Sequence, residues 1–159
     1  MDRAVQLFVD DLVAGYRFQG ETKTLTAEHF AQFAAMTGDK HPIHYDPAYA
    51  AGTRFGRPLA HGLLLTSLTA LGATKFSESM EDSMIALVEQ RMRFLRPAFA
   101  GDILTPDFEV ISNSTTQSGR TARVEISVKL LNQSGESLLE GIHVYIIRTQ
   151  PNVAGQKDK

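Results

Sequence analysis

The sequence contains no cysteine and no tryptophan among its 159 residues. The absence of cysteine excludes disulfide bonds, thiolate metal sites and a cysteine nucleophile. A strong excess of charge is also missing: the formal net charge is -2, so nothing points to nucleic acid or to an anionic membrane surface as a partner. Long apolar runs are absent too. The longest, residues 58–73, is interrupted by polar residues and is too short to span a bilayer.

The composition is that of an ordinary globular domain, with 43% hydrophobic and 21% charged residues. The length suits one core, and we expect a single domain over residues 1–148. Residues 149–159 are polar and without periodicity, which predicts a flexible C-terminal tail. Residues 1–10 carry acidic residues and no continuous apolar core, so we expect no signal peptide and a cytoplasmic location.

The first half of the chain carries helix signals. Thr26 suits an N-cap, and the apolar residues that follow repeat at helical spacing until Gly38. Asp46 followed by proline predicts the start of a second, short helix that ends at Gly52. A third helix is predicted over residues 62–72, where leucines cover most of the circumference, so that protein should surround it.

The second half carries strand signals. We predict strands over residues 84–95, 104–111, 123–130 and 138–148, and an earlier one within 17–25. Residues 123–130 alternate between apolar and polar side chains, as expected when one face of a sheet is buried. Strands that follow helices in this order favour an α+β fold, in which an antiparallel sheet wraps around one buried central helix.

Two clusters could carry chemistry. The loop after Gly38 holds two carboxylates and two histidines within eight residues, Asp39 to Asp46, and a histidine beside a carboxylate forms an acid/base couple near neutral pH. The second cluster is His61-Gly62 at the start of the third helix. The free backbone N–H groups and partial positive charge of a helix N-terminus, with a glycine that allows close approach, suit an oxyanion hole.

Four motifs follow one another along the chain: FAAMTGD at 33–39, PIHYD at 42–46, RPLAHG at 57–62, and RFLRP at 93–97 followed by GD at 101–102. This order of motifs resembles that of the MaoC-like (R)-specific enoyl-CoA hydratases and acyl dehydratases. The resemblance covers residues 17–148. It implies a hotdog fold, a homodimer or higher homo-oligomer, and reversible hydration of a trans-2-enoyl-CoA thioester in fatty acid metabolism, without a metal or organic cofactor.

The resemblance also implies site residues. Asp39 and His44 match the catalytic aspartate and histidine, and the Gly62 amide is expected to face the thioester oxygen. The sequence does not assign acid and base within the pair. Where the family usually has asparagine before the Pro-x-His part of the loop, this chain has His41, which could hold the loop, add a titrating group or reshape the acyl pocket.

Each candidate also has a structural interpretation. Asp39 could brace a turn, and Asp46 is expected to cap the short helix. His61 could bond a carbonyl, and Gly62 could serve close packing. Other polar residues are interpreted as structural or solvated: His29, His143, Ser67, Arg54, Arg57, Arg91, Arg93 and Arg96.

Two rival functions remain open. A hotdog thioesterase would also bind acyl-CoA but would release free thiol. A non-catalytic acyl-CoA-binding module would bind without turnover. A metal site built from His41, His44 and Asp46 is a weaker option, because their spacing matches no defined ligand motif.

Overall fold

Six antiparallel strands form the sheet that organises the fold, in a computed structural model that describes residues 3–151. The strands are β1 (Arg17–Gln19), β2 (Lys23–Thr24), β3 (Met84–Phe94), β4 (Ile103–Thr115), β5 (Thr121–Leu131) and β6 (Ser137–Arg148). Their order is β1-β4-β5-β6-β3, and β2 also pairs with β4. Strand β3 therefore stands at one end of the sheet and pairs with β6.

The strand predictions are confirmed, with small shifts in their bounds. In β5, the side chains predicted to face inward are 0–1% exposed, namely Val124, Ile126, Val128 and Leu130. The predicted segment 17–25 is divided into β1 and β2, which both pair with β4. Strand β4 extends four residues past the predicted end, to Thr115, because its pairing with β5 continues to Ala122.

Three α-helices precede the long strands: α1 (Ala27–Thr37), α2 (Pro47–Ala51) and α3 (Gly62–Ser67). Helix α1 begins after Thr26, whose hydroxyl accepts from the His29 N–H, and ends at Gly38 with φ at 79°. Asp46 caps α2 by accepting from the N–H groups of the two residues after Pro47, at 2.9 and 3.2 Å. The predicted starts and ends of both helices are confirmed.

The third helix is shorter than predicted. Helix α3 ends at Ser67 rather than at residue 72, and a separate 3-10 turn follows over Leu71–Ala73. The hydroxyls of Ser67 and Thr69 bond to carbonyls three residues back, at 2.7 Å, and such local bonds compete with helix continuation. The leucines also do not all face protein, because Leu63 is 69% exposed. The predicted extent and all-round burial of this helix are therefore wrong.

Helices α1 and α3 both pack on the sheet. Phe30 and Phe33 of α1 and Leu64 and Leu65 of α3 share one core cluster with apolar side chains of β4, β5 and β6. A second cluster lies further along the sheet, where the N-terminal residues Val9 and Leu12 and the 3-10 segments after α3 cover it. The chain between α1 and α3 is thereby held against the first cluster.

Two expectations concern the limits of the fold. Within residues 3–151, no helix is long and apolar enough to cross a membrane. The cytoplasmic location stays a prediction. Of the tail predicted over 149–159, residues 152–159 lie outside the described residues, whereas Thr149 bonds to the carbonyls of Arg120 and Gly119.

Candidate active site

The loop that links α1 to α2 carries Asp39 and His44. The left-handed backbone of Gly38 ends α1 and turns the chain, so that the exposed Asp39 follows directly. One carboxylate oxygen of Asp39 accepts from the His41 N–H at 3.3 Å. This is the turn-bracing contact considered from the sequence, and it engages one of the two oxygens.

The imidazole of His44 is oriented by a backbone carbonyl. Its Nδ1 lies 2.7 Å from the oxygen of Leu59. Since a carbonyl oxygen can only accept, Nδ1 carries the hydrogen, and in the neutral ring Nε2 is the nitrogen that can take up a proton. The 3-10 turn Pro42–His44 places the ring in this position.

A third residue joins the pair. Asp39, His44 and His61 each bring one carboxylate oxygen or ring nitrogen to within 4.8 Å of the others. The rings of His44 and His61 stack with centroids 3.8 Å apart and an interplanar angle of 25°. Two histidines and a carboxylate are a plausible ligand set for a divalent cation. The in-plane lone pairs of stacked rings run nearly parallel and do not converge on one ion, so the geometry favours proton chemistry.

Tyr45 connects this cluster to the protein. Its hydroxyl donates to the Asp39 carbonyl at 2.8 Å, which leaves the oxygen to accept from Nε2–H of His61. His61 is 2% exposed, and its Nδ1 has no hydrogen-bond partner among residues 3–151. Sequence reasoning missed the role of Tyr45, although Tyr45 lies inside the loop motif, because its partner His61 is 16 residues away.

Burial shifts the pKa values of His61 and Tyr45. It lowers the pKa of His61, and the charge of His44 lowers it further, so His61 stays neutral near neutral pH. Burial also raises the pKa of Tyr45, and the Asp39 carboxylate adds to that shift. Both residues therefore remain uncharged and hold the positions of Asp39 and His44 through a hydrogen bond and a ring contact.

The neighbouring candidates have structural roles. His41, which stands where the family usually has asparagine, accepts from the Ile43 N–H through Nδ1 at 3.3 Å and so holds the loop by a local backbone bond. Asp46 caps α2, as expected. The Ser67 hydroxyl donates to the Leu64 carbonyl at 2.7 Å, which is the ordinary contact considered from the sequence.

A cavity of about 330 Å³, here called the His44 cavity, opens beside the pair. His44, Gly62 and Phe94 are among its lining residues, whereas Asp39 is not among them. The first hydrogen bond of α3 runs from the Leu65 N–H to the His61 carbonyl at 3.1 Å. The Gly62 N–H comes before it in the chain, so no helix hydrogen bond uses it. A Cβ at Gly62 would lie 3.0 Å from the Phe94 ring, which supports the close-packing interpretation of this glycine as well.

Of the arginines considered from the sequence, Arg54 and Arg96 line the His44 cavity. The guanidinium of Arg54 lies over Phe55, 4.8 Å from the ring centroid. Arg96 donates to the Ser137 carbonyl at 2.8 Å and pairs with Glu136 at 3.6 Å. Arg91 and Arg93 also pair with glutamates, and Arg57 lies over the Phe99 ring.

Comparison with solved structures shows that the architecture is a hotdog fold, as predicted. A conserved hypothetical protein from Mycobacterium tuberculosis, described as a double hotdog fold, matches with a TM-score of 0.74 at 21% identity, over 94% of this chain and 46% of that one. A monoamine oxidase regulatory protein from Archaeoglobus matches with a TM-score of 0.87 at 28% identity, over 95% of this chain and 100% of that one.

The family follows from the sequence match. The family model of the MaoC like domain matches residues 13–133, and the chain belongs to this family. The (R)-specific enoyl-CoA hydratase of Aeromonas caviae is 37% identical over 89 residues, which are 56% of this chain and 64% of that protein. The first curated relatives are thus matched over less than two thirds of their length.

Proposed function

We propose that the chain is a hydratase or dehydratase that adds water reversibly to a trans-2-enoyl thioester, with Asp39 and His44 as the acid/base pair. The observation that carries the proposal is the fixed His44 ring. Its Nδ1 is held by Leu59, and Nε2 is left to exchange a proton near the Asp39 carboxylate. The membership in the MaoC-like domain family and the named hydratase relative support the same reaction.

The separation of the pair suits one bound water. Two hydrogen bonds of about 2.8 Å that meet at a water oxygen span roughly 4.5 Å, and the polar atoms of Asp39 and His44 lie within 4.8 Å. Asp39 would accept a hydrogen bond from this water, and that hydrogen stays on the oxygen as part of the new hydroxyl group. His44 Nε2 would take the other hydrogen as a proton while the oxygen attacks Cβ, and the imidazolium, stabilised by the carboxylate, would return that proton to Cα.

The thioester oxygen gains negative charge while Cβ is attacked. The Gly62 amide, at the start of α3 and in the same cavity as His44, is our candidate donor for that oxygen. Arg54, which lines the same cavity and lies over the Phe55 ring, suits the phosphate of a pantetheine carrier, which coenzyme A and acyl carrier protein share. The acyl group would then enter between Arg54 and the catalytic pair.

The expected homodimer belongs to the same proposal. Strand β3 ends the sheet and exposes Ile85, Leu87 and Val88 at 47%, 48% and 47%. An exposed apolar edge strand is a site for pairing with a second chain, and a twofold arrangement would cover both copies. We propose that β3 forms the dimer contact.

The test is turnover of crotonyl-CoA and of a longer trans-2-enoyl-CoA, followed by loss of the enoyl-thioester absorbance. A thiol reagent in a parallel cuvette detects hydrolysis. We expect enoyl loss without thiol release, and a fall in rate of about 10²–10⁴-fold for Asp39→Asn and for His44→Ala, the usual size of an acid/base contribution. A chelator should leave the rate unchanged.

The matched control is His41→Asn, a histidine substitution in the same loop. His41 bonds to the backbone of Ile43, and asparagine can make the same kind of bond, so we expect this variant to keep its activity. Thiol release would instead indicate a thioesterase. Binding without turnover on any enoyl chain would indicate a non-catalytic module and would refute the roles of Asp39 and His44.

A further inference from the structure

His61 stands at the N-cap position of α3, but its side chain does not cap that helix. Within residues 3–151 the ring makes no hydrogen bond to a backbone N–H of α3, although the residues that usually occupy this position accept one. The ring turns instead toward the loop that carries the catalytic pair. Its Nε2 meets the Tyr45 hydroxyl, and its face stacks on His44 with centroids 3.8 Å apart. The side chain therefore serves the neighbouring loop rather than its own helix.

Packing from α1 holds the His61 ring in place. The centroid of the Phe33 ring lies 4.7 Å from that of His61, and the Phe30 ring approaches edge-on at 6.5 Å. Both phenylalanines belong to the core cluster that α1 and α3 share. Since His61 is only 2% exposed, a close-packed interior leaves its ring little room to move. His44 thus rests on a ring that the core fixes.

The hydrogen bonds define the proton state of His61. The Tyr45 hydroxyl donates to the Asp39 carbonyl at 2.8 Å, so it accepts from Nε2–H of His61. Nδ1 then carries only a lone pair, and it has no partner among the described residues. A proton on Nδ1 would be a buried N–H without an acceptor, which is costly. His61 therefore stays neutral and does not compete with His44 for the proton that is transferred.

His61 is also joined directly to the candidate oxyanion donor. The Gly62 nitrogen is bonded to the His61 carbonyl carbon, and the peptide group is planar and rigid. The oxygen of that carbonyl accepts from the Leu65 N–H at 3.1 Å, which holds the peptide in the first turn of α3. His44 and Gly62 line the same cavity. One residue therefore touches the proposed base with its ring and carries the proposed oxyanion amide on its carbonyl carbon.

The stack adds something that the Leu59 bond does not supply. The bond from His44 Nδ1 to the Leu59 carbonyl selects the nitrogen that carries hydrogen. Hydrogen bonds to carbonyl oxygens tolerate a broad range of directions, so this contact alone leaves the tilt of the ring loosely defined. A second ring against its face, at an interplanar angle of 25°, restricts that tilt. The direction of Nε2 toward the bound water depends on it.

We infer that His61 is a positioning residue: its stacked ring sets the plane of His44, and its peptide bond to Gly62 fixes that plane relative to the oxyanion donor. The inference rests on the proposed function, because the base and the donor are those of the hydratase. It assigns the effect to the face of the ring rather than to the hydrogen bond of Nε2 with Tyr45.

Two substitutions separate the ring from the hydrogen bond. His61→Phe keeps a planar ring and removes Nε2–H, whereas His61→Gln keeps an N–H for Tyr45 and removes the ring. We expect His61→Gln to lower kcat about 10²-fold, the effect of a misplacement of about 1 Å, and His61→Phe to restore kcat to within about threefold of wild type. KM should change little in either variant, because the contacts to the rest of the substrate remain.

His143→Gln is the matched control, the same substitution at a buried histidine of β6 that is 1% exposed. It should keep kcat. Activity retained in His61→Gln and lost in His61→Phe would overturn the inference, because the bond to Tyr45 would then be the contact that matters. Equal losses in the two variants would overturn it as well.

A chromophoric cinnamoyl-CoA analogue reports on the oxyanion donor without turnover, since its absorbance moves to the red when the thioester oxygen accepts a hydrogen bond. We expect the bound analogue to keep its red shift in His61→Gln, because Gly62 stays in the first turn of α3, and to lose it in Gly62→Ala. Loss of the red shift together with kcat in His61→Gln would mean a disordered site and would overturn the inference.

A measurement on the wild-type protein separates this inference from the hydratase proposal and does not depend on how the variants fold. In an NMR spectrum, a ring stacked on His44 moves the Hε1 resonance of His44 upfield. An upfield resonance that returns to its ordinary position in His61→Gln would support the stack even if no enoyl thioester were turned over. An ordinary resonance in the wild type would overturn the inference and leave the roles of Asp39 and His44 open to their own test.

Discussion

At the residue scale, the Tyr45 hydroxyl joins the two parts of the candidate site. It bonds to the Asp39 carbonyl and to the ring of His61, and that ring stacks on His44. This single hydroxyl therefore fixes the backbone position of Asp39 and also the ring of His61, which stacks against the imidazole of His44. The sequence indicates each of these residues separately but not their connection.

We expect Tyr45→Phe to lower kcat about tenfold, because Asp39 loses its support. KM for the enoyl thioester should stay nearly unchanged, because the protein groups that bind the rest of the substrate are retained. The variant leaves the Asp39 carbonyl and His61 Nε2 without this partner, at a cost of about 1–3 kcal/mol in unfolding free energy. Steady-state kinetics and denaturant titration measure the two effects. Tyr16→Phe, in the other core cluster, is the control. Unchanged kcat would mean that Tyr45 only stabilises the loop.

The two interpretations of Gly62 can be separated through Phe94. A Cβ at Gly62 would lie 3.0 Å from the Phe94 ring, but that side chain is 53% exposed and can move. We expect Gly62→Ala to lower kcat/KM by up to about 10²-fold, because the added methyl displaces the thioester carbonyl. The same loss is expected in a Phe94→Leu background. If Phe94→Leu restored the activity of Gly62→Ala, the glycine would serve packing alone.

At the scale of elements, the strands and helix caps were predictable, whereas the extent of α3 was not. The alternation over β5 and the caps Thr26 and Asp46 depend on neighbours within a few residues. The apolar pattern over 62–72 predicts burial but cannot show that the chain leaves the helix after Ser67. That ending coincides with the bonds from the Ser67 and Thr69 hydroxyls to carbonyls three residues back, which an apolar pattern does not reveal.

Strand β6 contains the buried His143, which makes the stability of the fold depend on pH. Its folded pKa is about 4, below the ordinary value near 6.5 for an exposed histidine. Between these values the unfolded chain binds more protons than the folded one. The contribution of His143 to the unfolding free energy is therefore complete above about pH 6.5 and is lost as the pH falls toward 4.

Denaturant titration at a series of pH values between 7 and 4 measures this dependence. We expect wild type to lose more unfolding free energy across this interval than His143→Gln, which keeps a neutral hydrogen-bonding side chain but does not titrate. The difference between the two curves removes the contribution of the other titrating groups. Parallel curves would contradict a neutral buried His143.

At the scale of the whole molecule, the exposed apolar edge at β3 predicts self-association. Val88→Glu places a charge within that edge and should convert a dimer to a monomer in sedimentation velocity experiments. Val13→Glu is the matched control, because Val13 is 59% exposed, outside the strands. A wild-type protein that sediments as a monomer at micromolar concentration would refute the proposed dimer.

The sequence by itself determined the strand pattern of the sheet, the helix caps and the loop that holds Asp39 and His44. These features depend on side-chain periodicity and on bonds between residues a few positions apart, which any segment carries with it. Only the tertiary structure decided which nitrogen of His44 is free, because its partner Leu59 lies 15 residues away. The contact of His143 with Gln90 spans 53 residues and depends on the register between β3 and β6. Such contacts form only after the strands have paired, and residue order alone does not specify that register.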